Sequence, residues 1–237
     1  LNTDENGEQA AAEHIGKTYL SIQNLTDTIR IKTQVPSYSI CEQGDIYANN
    51  GDCAKNNAKV YPKFRRGKHF IYGYVNEPDH TLHYKGCDSD KVTKWLLKAD
   101  KQLSELQESC SDTLFFLTAD HGFIDVEPMC LEDYPELEAC LVRKPSVEPR
   151  ALNLFVKEEK HEDFLRIWKG HMGDSYRLFS REEALKIGLF GPTPIHEKLP
   201  EMLGDYIAVA TGSKTLFPNP SYLQFMRATH GGMTAQE

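Results

Sequence analysis

The hydrophobic and polar positions divide the chain into two textures. Residues 1–67 show little sustained periodicity, and the stretch CEQGDIYANNGDCAKNNAKVYPKFRRG is rich in Asn, Gly, Asp and Lys. Such a composition predicts a loop-rich segment, with a short helix only around Glu8 to Lys17. From residue 68 the pattern changes. HFIYGYV, residues 69–75, is a run of aromatic and β-branched residues closed by NEPD, which predicts a buried strand followed by a turn. In DSDKVTKWLLKADKQLSELQES, residues 88–109, Val92, Leu96, Ala99, Leu103 and Leu106 recur at steps of three and four, with Asp88 to Asp90 offering an N-cap. That spacing predicts an amphipathic helix. DTLFFLT, residues 112–118, predicts a second strand, and a strand, helix, strand unit closes naturally in parallel and with a right-handed crossover.

The same alternation continues. ALNLFV (151–156) reads as a strand, EDFLRIWKGHM (162–172) as a helix, and SREEALKIG (180–188) as a short helix with a capping box from Ser180 to Glu183 and a stop at Gly188. YIAVAT (206–211) reads as another strand, and PNPSYLQFMRATHGG (218–232) as irregular. The expected fold class is α/β, a mostly parallel sheet with helices on both faces, formed by residues 68–237 as one domain behind the 1–67 segment.

Composition narrows the function. A chain of 237 residues with 40% hydrophobic content can bury a core, so disorder is not the default. A net charge of -8 argues against a nucleic-acid polymer as partner, because phosphate backbones are bound through clustered Lys and Arg. A small anion remains possible where a bound cation neutralises it locally. No apolar run approaches the roughly 20 residues of a membrane span, and LNTDENGEQAAAEHIGK is not signal-like, so no membrane is expected and the cytoplasm is the expected location. The six cysteines (Cys41, Cys53, Cys87, Cys110, Cys130, Cys140) are spread as reduced thiols would be; Cys41 and Cys53 are the pair near enough in sequence to bridge. A start at Leu1 and a stop after HGGMTAQE lead us to expect a fragment.

Candidate chemistry gathers where strands are expected to end, the place where α/β sheets build their sites. Asp79 and His83 lie in EPDHTLH, Asp120 and His121 in TADHG, and His230 in THGG. Carboxylate and imidazole together suit a borderline metal such as zinc. Five such ligands exceed one tetrahedral site and match two ions. Each piece alone has a plainer reading. Asp-His-Gly is commonly a turn, DHTLH a solvated loop in which His80 is as good a candidate as His83, and a lone His230 means nothing. The conjunction of three clusters carries the weight. His14, His69, His161, His171 and His196 sit in polar or helical settings and read as surface residues.

These segments, in this order, resemble the metal-binding motifs of the alkaline phosphatase superfamily, in particular its type I phosphodiesterase and nucleotide pyrophosphatase branch. The resemblance covers roughly residues 68–232 and implies an alkaline phosphatase-like core. It implies that Asp79, His83 and His230 hold one divalent ion and Asp120 and His121 a second, most simply Zn2+, with Mn2+ or Mg2+ as alternatives. The implied activity is hydrolysis of a small phosphorylated substrate through a two-metal site. Leu82 stands where the family commonly has Gly. The family's upstream Asp and its Thr or Ser nucleophile have no good match in residues 1–67. KTQVPSYS offers Thr33, Ser37 and Ser39 beside a proline, but without the Asp-Gly strand end that should precede them, so no catalytic residue is assigned. A phosphoglycerate mutase or phosphopentomutase-like isomerase shares such a metal core, and a truncated, non-catalytic metal-binding relative is the third reading. Tyr84, Lys85, Phe123 and SVEPRAL are candidates for shaping a pocket.

Overall fold

The computed structural model describes residues 23–41, 67–192 and 194–237. The expected helix at Glu8 to Lys17, His14 and the Cys41 to Cys53 pairing lie outside the described residues or side chains. Cys87, Cys110, Cys130 and Cys140 are free thiols. The chain falls into two units, residues 1–76 with 101–111, and residues 77–100 with 112–237.

In the first unit, helix α1 (Leu25–Thr33) leads into strand β1 (Ser37–Cys41), which pairs in parallel with strand β2 (Phe70–Tyr74), Ser37 opposite Phe70 and Cys41 opposite Tyr74. Helix α1 falls in a stretch expected to be loop. Its start is set by Asn24, whose side chain accepts from the Asp27 N–H at 2.7 Å, a cap that offsets an otherwise poorly periodic sequence. Thr33 closes that helix: its hydroxyl donates to the Ile29 carbonyl at 2.7 Å and accepts from the Val35 N–H at 3.2 Å. Both hydrogen-bonding roles of the Thr33 hydroxyl serve the backbone.

The second unit begins with helix α2 (Asp79–Lys85) and the entry to helix α3 (Asp90–Ser109). The expected long helix forms, entered through Ser89, whose hydroxyl accepts from the Val92 N–H. Val92 and Leu106 of its apolar stripe are buried, whereas Leu96 stays exposed. The strand expected at 112–118 does not form. Leu114, Phe116 and Leu117 are 77%, 85% and 82% exposed and lie outside any ladder of the described residues. An apolar run supplies the tendency to form a strand, but a strand exists only where a neighbour takes its N–H and C=O groups. The expected unit 69–75, 88–109, 112–118 is therefore not the parallel closure found; β2 takes β1 instead.

Two short pairs follow. Strand β3 (Ile124–Asp125) pairs antiparallel with β10 (Ala228–Thr229), and β4 (Glu127–Cys130) pairs in parallel with β9 (Lys214–Phe217). The largest sheet runs in the order β5 (Ser146–Glu148), β6 (Ala151–Leu154), β8 (Tyr206–Ala210), β7 (Tyr176–Ser180), and every pairing in it is antiparallel. The expected parallel character is thus met only in part: among the described residues β1 with β2 and β4 with β9 pair in parallel, and the other strand pairs are antiparallel. The alternation of strands and helices was real, but β8 inserts between β6 and β7, so the crossover joins strands that are not neighbours.

Both faces of this sheet are covered, as the unbroken apolar run of β8 requires. Ala208 and Ala210 face one side, joining Leu152, Leu154 and the stripe Phe164, Ile167, Trp168 and Met172 of helix α5 (His161–Met172), with Leu131 and with Leu137 of the short helix α4 (Pro135–Glu138). Ile207 and Val209 face the other, with Phe179, Leu203 and Ala184 of helix α6 (Arg181–Lys186). Helix α6 is fixed by the capping box: the Glu183 N–H donates to Ser180 Oγ at 3.2 Å, and the Ser180 N–H to Glu183 Oε2 at 2.8 Å. The chain leaves it at Gly188 with φ +69°. Ser180→Ala is expected to lower stability by about 1 kcal/mol, read as a shift in urea midpoint without a change in slope. Beyond helix α7 (Leu199–Met202) comes β8. No helix among the described residues is long and apolar enough to cross a membrane.

Candidate metal centre

Three segments of the second unit meet at one point. Helix α2 was expected as a turn or loop; as a helix it puts Asp79 and His83, four residues apart, on one face. His80 lies elsewhere on the helix, exposed, with its ring 4.9 Å from that of Tyr84. The choice between His80 and His83 that the sequence left open thus falls geometrically on His83. The second segment enters β3 and carries Asp120, His121 and Phe123; the third leaves β10 and carries His230. Because β3 and β10 are antiparallel, the start of one and the exit of the other lie at the same end. Asp120 and His121 therefore precede a paired strand, rather than following one as the sequence pattern implied. Helix α2 is tied to this pair by the Arg227 N–H to the His83 carbonyl at 2.7 Å and by the Cys87 N–H to Asp125 Oδ1 at 2.7 Å.

The Asp79 carboxylate is the common neighbour. Its oxygens lie 3.7 Å from His83 Nε2, 3.8 Å from His121 Nε2 and 3.8 Å from His230 Nε2. Ligand atoms of Asp79, His83 and His230 all lie within 4.8 Å of one another. Asp120 Oδ1 is 3.7 Å from His121 Nε2, with its side chain largely in solvent. The structure thus brings all five sequence-derived candidates into one neighbourhood, in which Asp79 adjoins both histidine-bearing loops.

The imidazoles are oriented by what surrounds them. His83 Nδ1 meets the Ala228 carbonyl at 3.0 Å, and His121 Nδ1 the Gly122 carbonyl at 3.0 Å. A carbonyl only accepts, so each Nδ1 donates, and in the neutral ring Nε2 keeps the lone pair. The His121 and His230 rings stack with centroids 3.8 Å apart. Phe123 touches all three rings at centroid distances of 5.0, 5.3 and 5.1 Å. Burial holds the His230 pKa below its usual value, helped by the charges His121 and His83 would carry and opposed by Asp79 and Glu148. The carboxylate of Asp79 with the imidazoles of His83 and His230 is a donor set that fits a divalent ion of the zinc type, with His121 and Asp120 adjoining it, and the carbonyl partners of His83 and His121 are the outer contacts such ligands use.

Gly122 has a second reason to be glycine besides the turn. A Cβ there would stand 1.8 Å from the Gln236 carbonyl oxygen, so the stretch 230–237 could not approach the His121 loop. Of the pocket candidates, Phe123 belongs to the cluster, and Glu148 of SVEPRAL lies 3.5 Å from where a side chain on Gly231 would begin. Tyr84 is exposed and its ring contact is with His80. His161, His171 and His196 bond to Tyr206, Glu136 and the Lys198 N–H, away from the cluster. Arg150 lies in SVEPRAL, a stretch named as a pocket candidate, but its partner Glu237 carried no signal in the sequence, and their separation of 87 residues hides the contact.

Solved structures define the class of fold. Murine ectonucleotide pyrophosphatase/phosphodiesterase 5 superposes with a TM-score of 0.57 at 17% identity, over 86% of this chain and 58% of that one. Phosphonoacetate hydrolase from Sinorhizobium meliloti 1021, in complex with phosphonoacetate, superposes with a TM-score of 0.64 at 12% identity, over 98% of this chain and 70% of that one. The chain shares the fold of these two solved structures. The family model described as type I phosphodiesterase / nucleotide pyrophosphatase matches residues 31–233, and the chain belongs to that family. It spans 58% of the length of the murine and human phosphodiesterase 5 structures. No curated protein matches the sequence.

Proposed function

We propose that this chain carries the metal-binding core of a phosphoric ester hydrolase of the phosphodiesterase/nucleotide pyrophosphatase kind, working through two divalent ions. Asp79, His83 and His230 would hold one ion, and Asp120 with His121 the other; Zn2+ suits the mixed oxygen and nitrogen donors best. The observation that carries this reading is the approach of three imidazole Nε2 atoms to within 3.7–3.8 Å of one carboxylate. The family match supports the reaction class, and the ligands of the solved relatives, AMP in one phosphodiesterase 5 structure and phosphonoacetate in the hydrolase, support a small phosphorylated anion as substrate.

Bound divalent ions would supply Lewis-acid stabilisation of charge on phosphoryl oxygens. The chain's own residues prepare for that. Asp79 brings negative charge to the point where the three segments meet. The carbonyls of Ala228 and Gly122 hold the Nε2 lone pairs of His83 and His121 toward it. Phe123 packs against all three rings.

Two measurements test the reading. Purified chain dialysed against Zn2+ should hold two equivalents by elemental mass spectrometry, with His83→Ala losing metal and His80→Ala keeping the parent content. Bis-p-nitrophenyl phosphate should be hydrolysed faster than the monoester, and only with metal. Retention of both equivalents in a folded His83→Ala variant would sink the ligand assignment. Absence of turnover in a fully loaded protein would favour the non-catalytic relative.

A further inference from the structure

What fixes the site in place lies just outside it. Arg150, fully buried ahead of β6, faces Glu237 in a two-pronged ion pair, Nε to Oε1 at 2.5 Å and Nη2 to Oε2 at 2.8 Å, while its Nη1 donates to Thr215 Oγ1 at 2.9 Å. Arg150 is itself held, because the carbonyl of its neighbour Pro149 accepts from the Tyr176 hydroxyl at 2.7 Å. The Glu237 carboxylate also accepts from the Gly232 N–H and the Thr234 hydroxyl, both at 2.7 Å. The Glu237 backbone carbonyl accepts from the Gly122 N–H at 2.9 Å. Glu237 thus bonds both to the residue following His121 and to the residue two beyond His230.

Stability alone does not call for this arrangement, since a buried ion pair is commonly matched by apolar residues of similar volume. What the pair adds is direction. The planar guanidinium fixes the carboxylate in orientation, and the remaining lone pairs are aimed at the backbone of the His230 loop. We propose that Glu237, clamped by Arg150, is a positioning residue for the metal centre, holding the stacked His121 and His230 rings so that both Nε2 atoms address Asp79. The proposal rests on the reading of these residues as metal ligands.

The test is the double variant Arg150→Met/Glu237→Leu in the full chain, which removes both charges together. It should melt at or above the parent temperature. In metal-free protein its His121 and His230 ring 1H–15N signals should move or broaden, while those of His161 and His171 stay. Its Co2+ affinity, read from visible absorption, should fall by about 10- to 100-fold, the usual cost of losing an outer contact. Gly122→Ala provides a second route should the double variant not fold: it pushes the Gln236 carbonyl away and breaks the same link with the ion pair intact, and the same two losses are expected. Unchanged ring signals and unchanged Co2+ affinity in either folded variant would reduce the pair to a structural role. A parent protein that takes up no Co2+ would refute the metal reading alone, because the metal-free ring signals still decide the positioning role.

Discussion

Asp79→Asn is expected to strip the centre of metal and of any hydrolytic activity while leaving the fold intact. The carboxylate lies within 3.8 Å of the Nε2 atoms of His83, His121 and His230, and on the proposed reading its charge is what offsets that of the divalent ions. Asn keeps the shape and removes the charge. The affinity loss should exceed the roughly 10- to 100-fold typical of outer contacts. With several kcal/mol of charge stabilisation gone, turnover of bis-p-nitrophenyl phosphate should drop by about 10^3-fold. The metal-free fold should hardly respond, because the side chain is 43% exposed and surface changes stay within about 0.5 kcal/mol. Metal content, turnover and urea midpoint measured on one preparation check this. A variant that keeps metal and rate, or one that loses both by unfolding, contradicts it.

What was legible in the sequence follows from how locally each feature is encoded. Helix α5 and the capping box of α6 lie within a residue or two of their expected places because Phe164, Ile167, Trp168 and Met172, or Ser180 and Glu183, sit within a few turns of one another. Strand β8 was legible as an apolar run, but its partners were not. Pairing is decided by residues as distant as Leu152 and Leu178, both opposite Ala208, and a run buried on both faces has the same composition in either sheet type. DTLFFLT shows the same limit: its residues favour a strand, yet Leu114, Phe116 and Leu117 remain in solvent.

The site divides in the same way. The candidate residues were legible because two Asp-His pairs and one further His, each beside turn residues, stand out when taken together. Their setting was not. Helix α2 is only seven residues long, too short for periodicity to reveal, and it is this helix that separates His83 from His80. Phe123 could be placed near the site but not among the three rings. Arg150 was covered only by the pocket-candidate stretch SVEPRAL, and its complete burial against Glu237 could not be read from the sequence.

Arg150→Met alone should be the most damaging single change to the fold in this region, because it leaves Glu237 buried without its cation. Breaking a buried pair from one side costs about 3–5 kcal/mol, enough to move the unfolding midpoint well below that of the double variant, which leaves no charge behind. The same pair predicts the acid response. Burial pushes the Glu237 carboxyl up, but hydrogen bonds from Arg150, Thr234 and Gly232, with the Arg150 charge, outweigh it and hold the group down at about 2, against 4.5 unperturbed. With the folded pKa below the unfolded one, the stabilisation is complete above pH 4.5 and is lost as pH falls toward 2. The shift corresponds to roughly 3 kcal/mol. Urea unfolding of parent and Glu237→Gln at pH 7, 4 and 3 should give curves that converge as pH falls, the glutamine variant being weaker at pH 7 and flatter below 4.5. Profiles that run parallel would show that this carboxylate is not the acid-labile group.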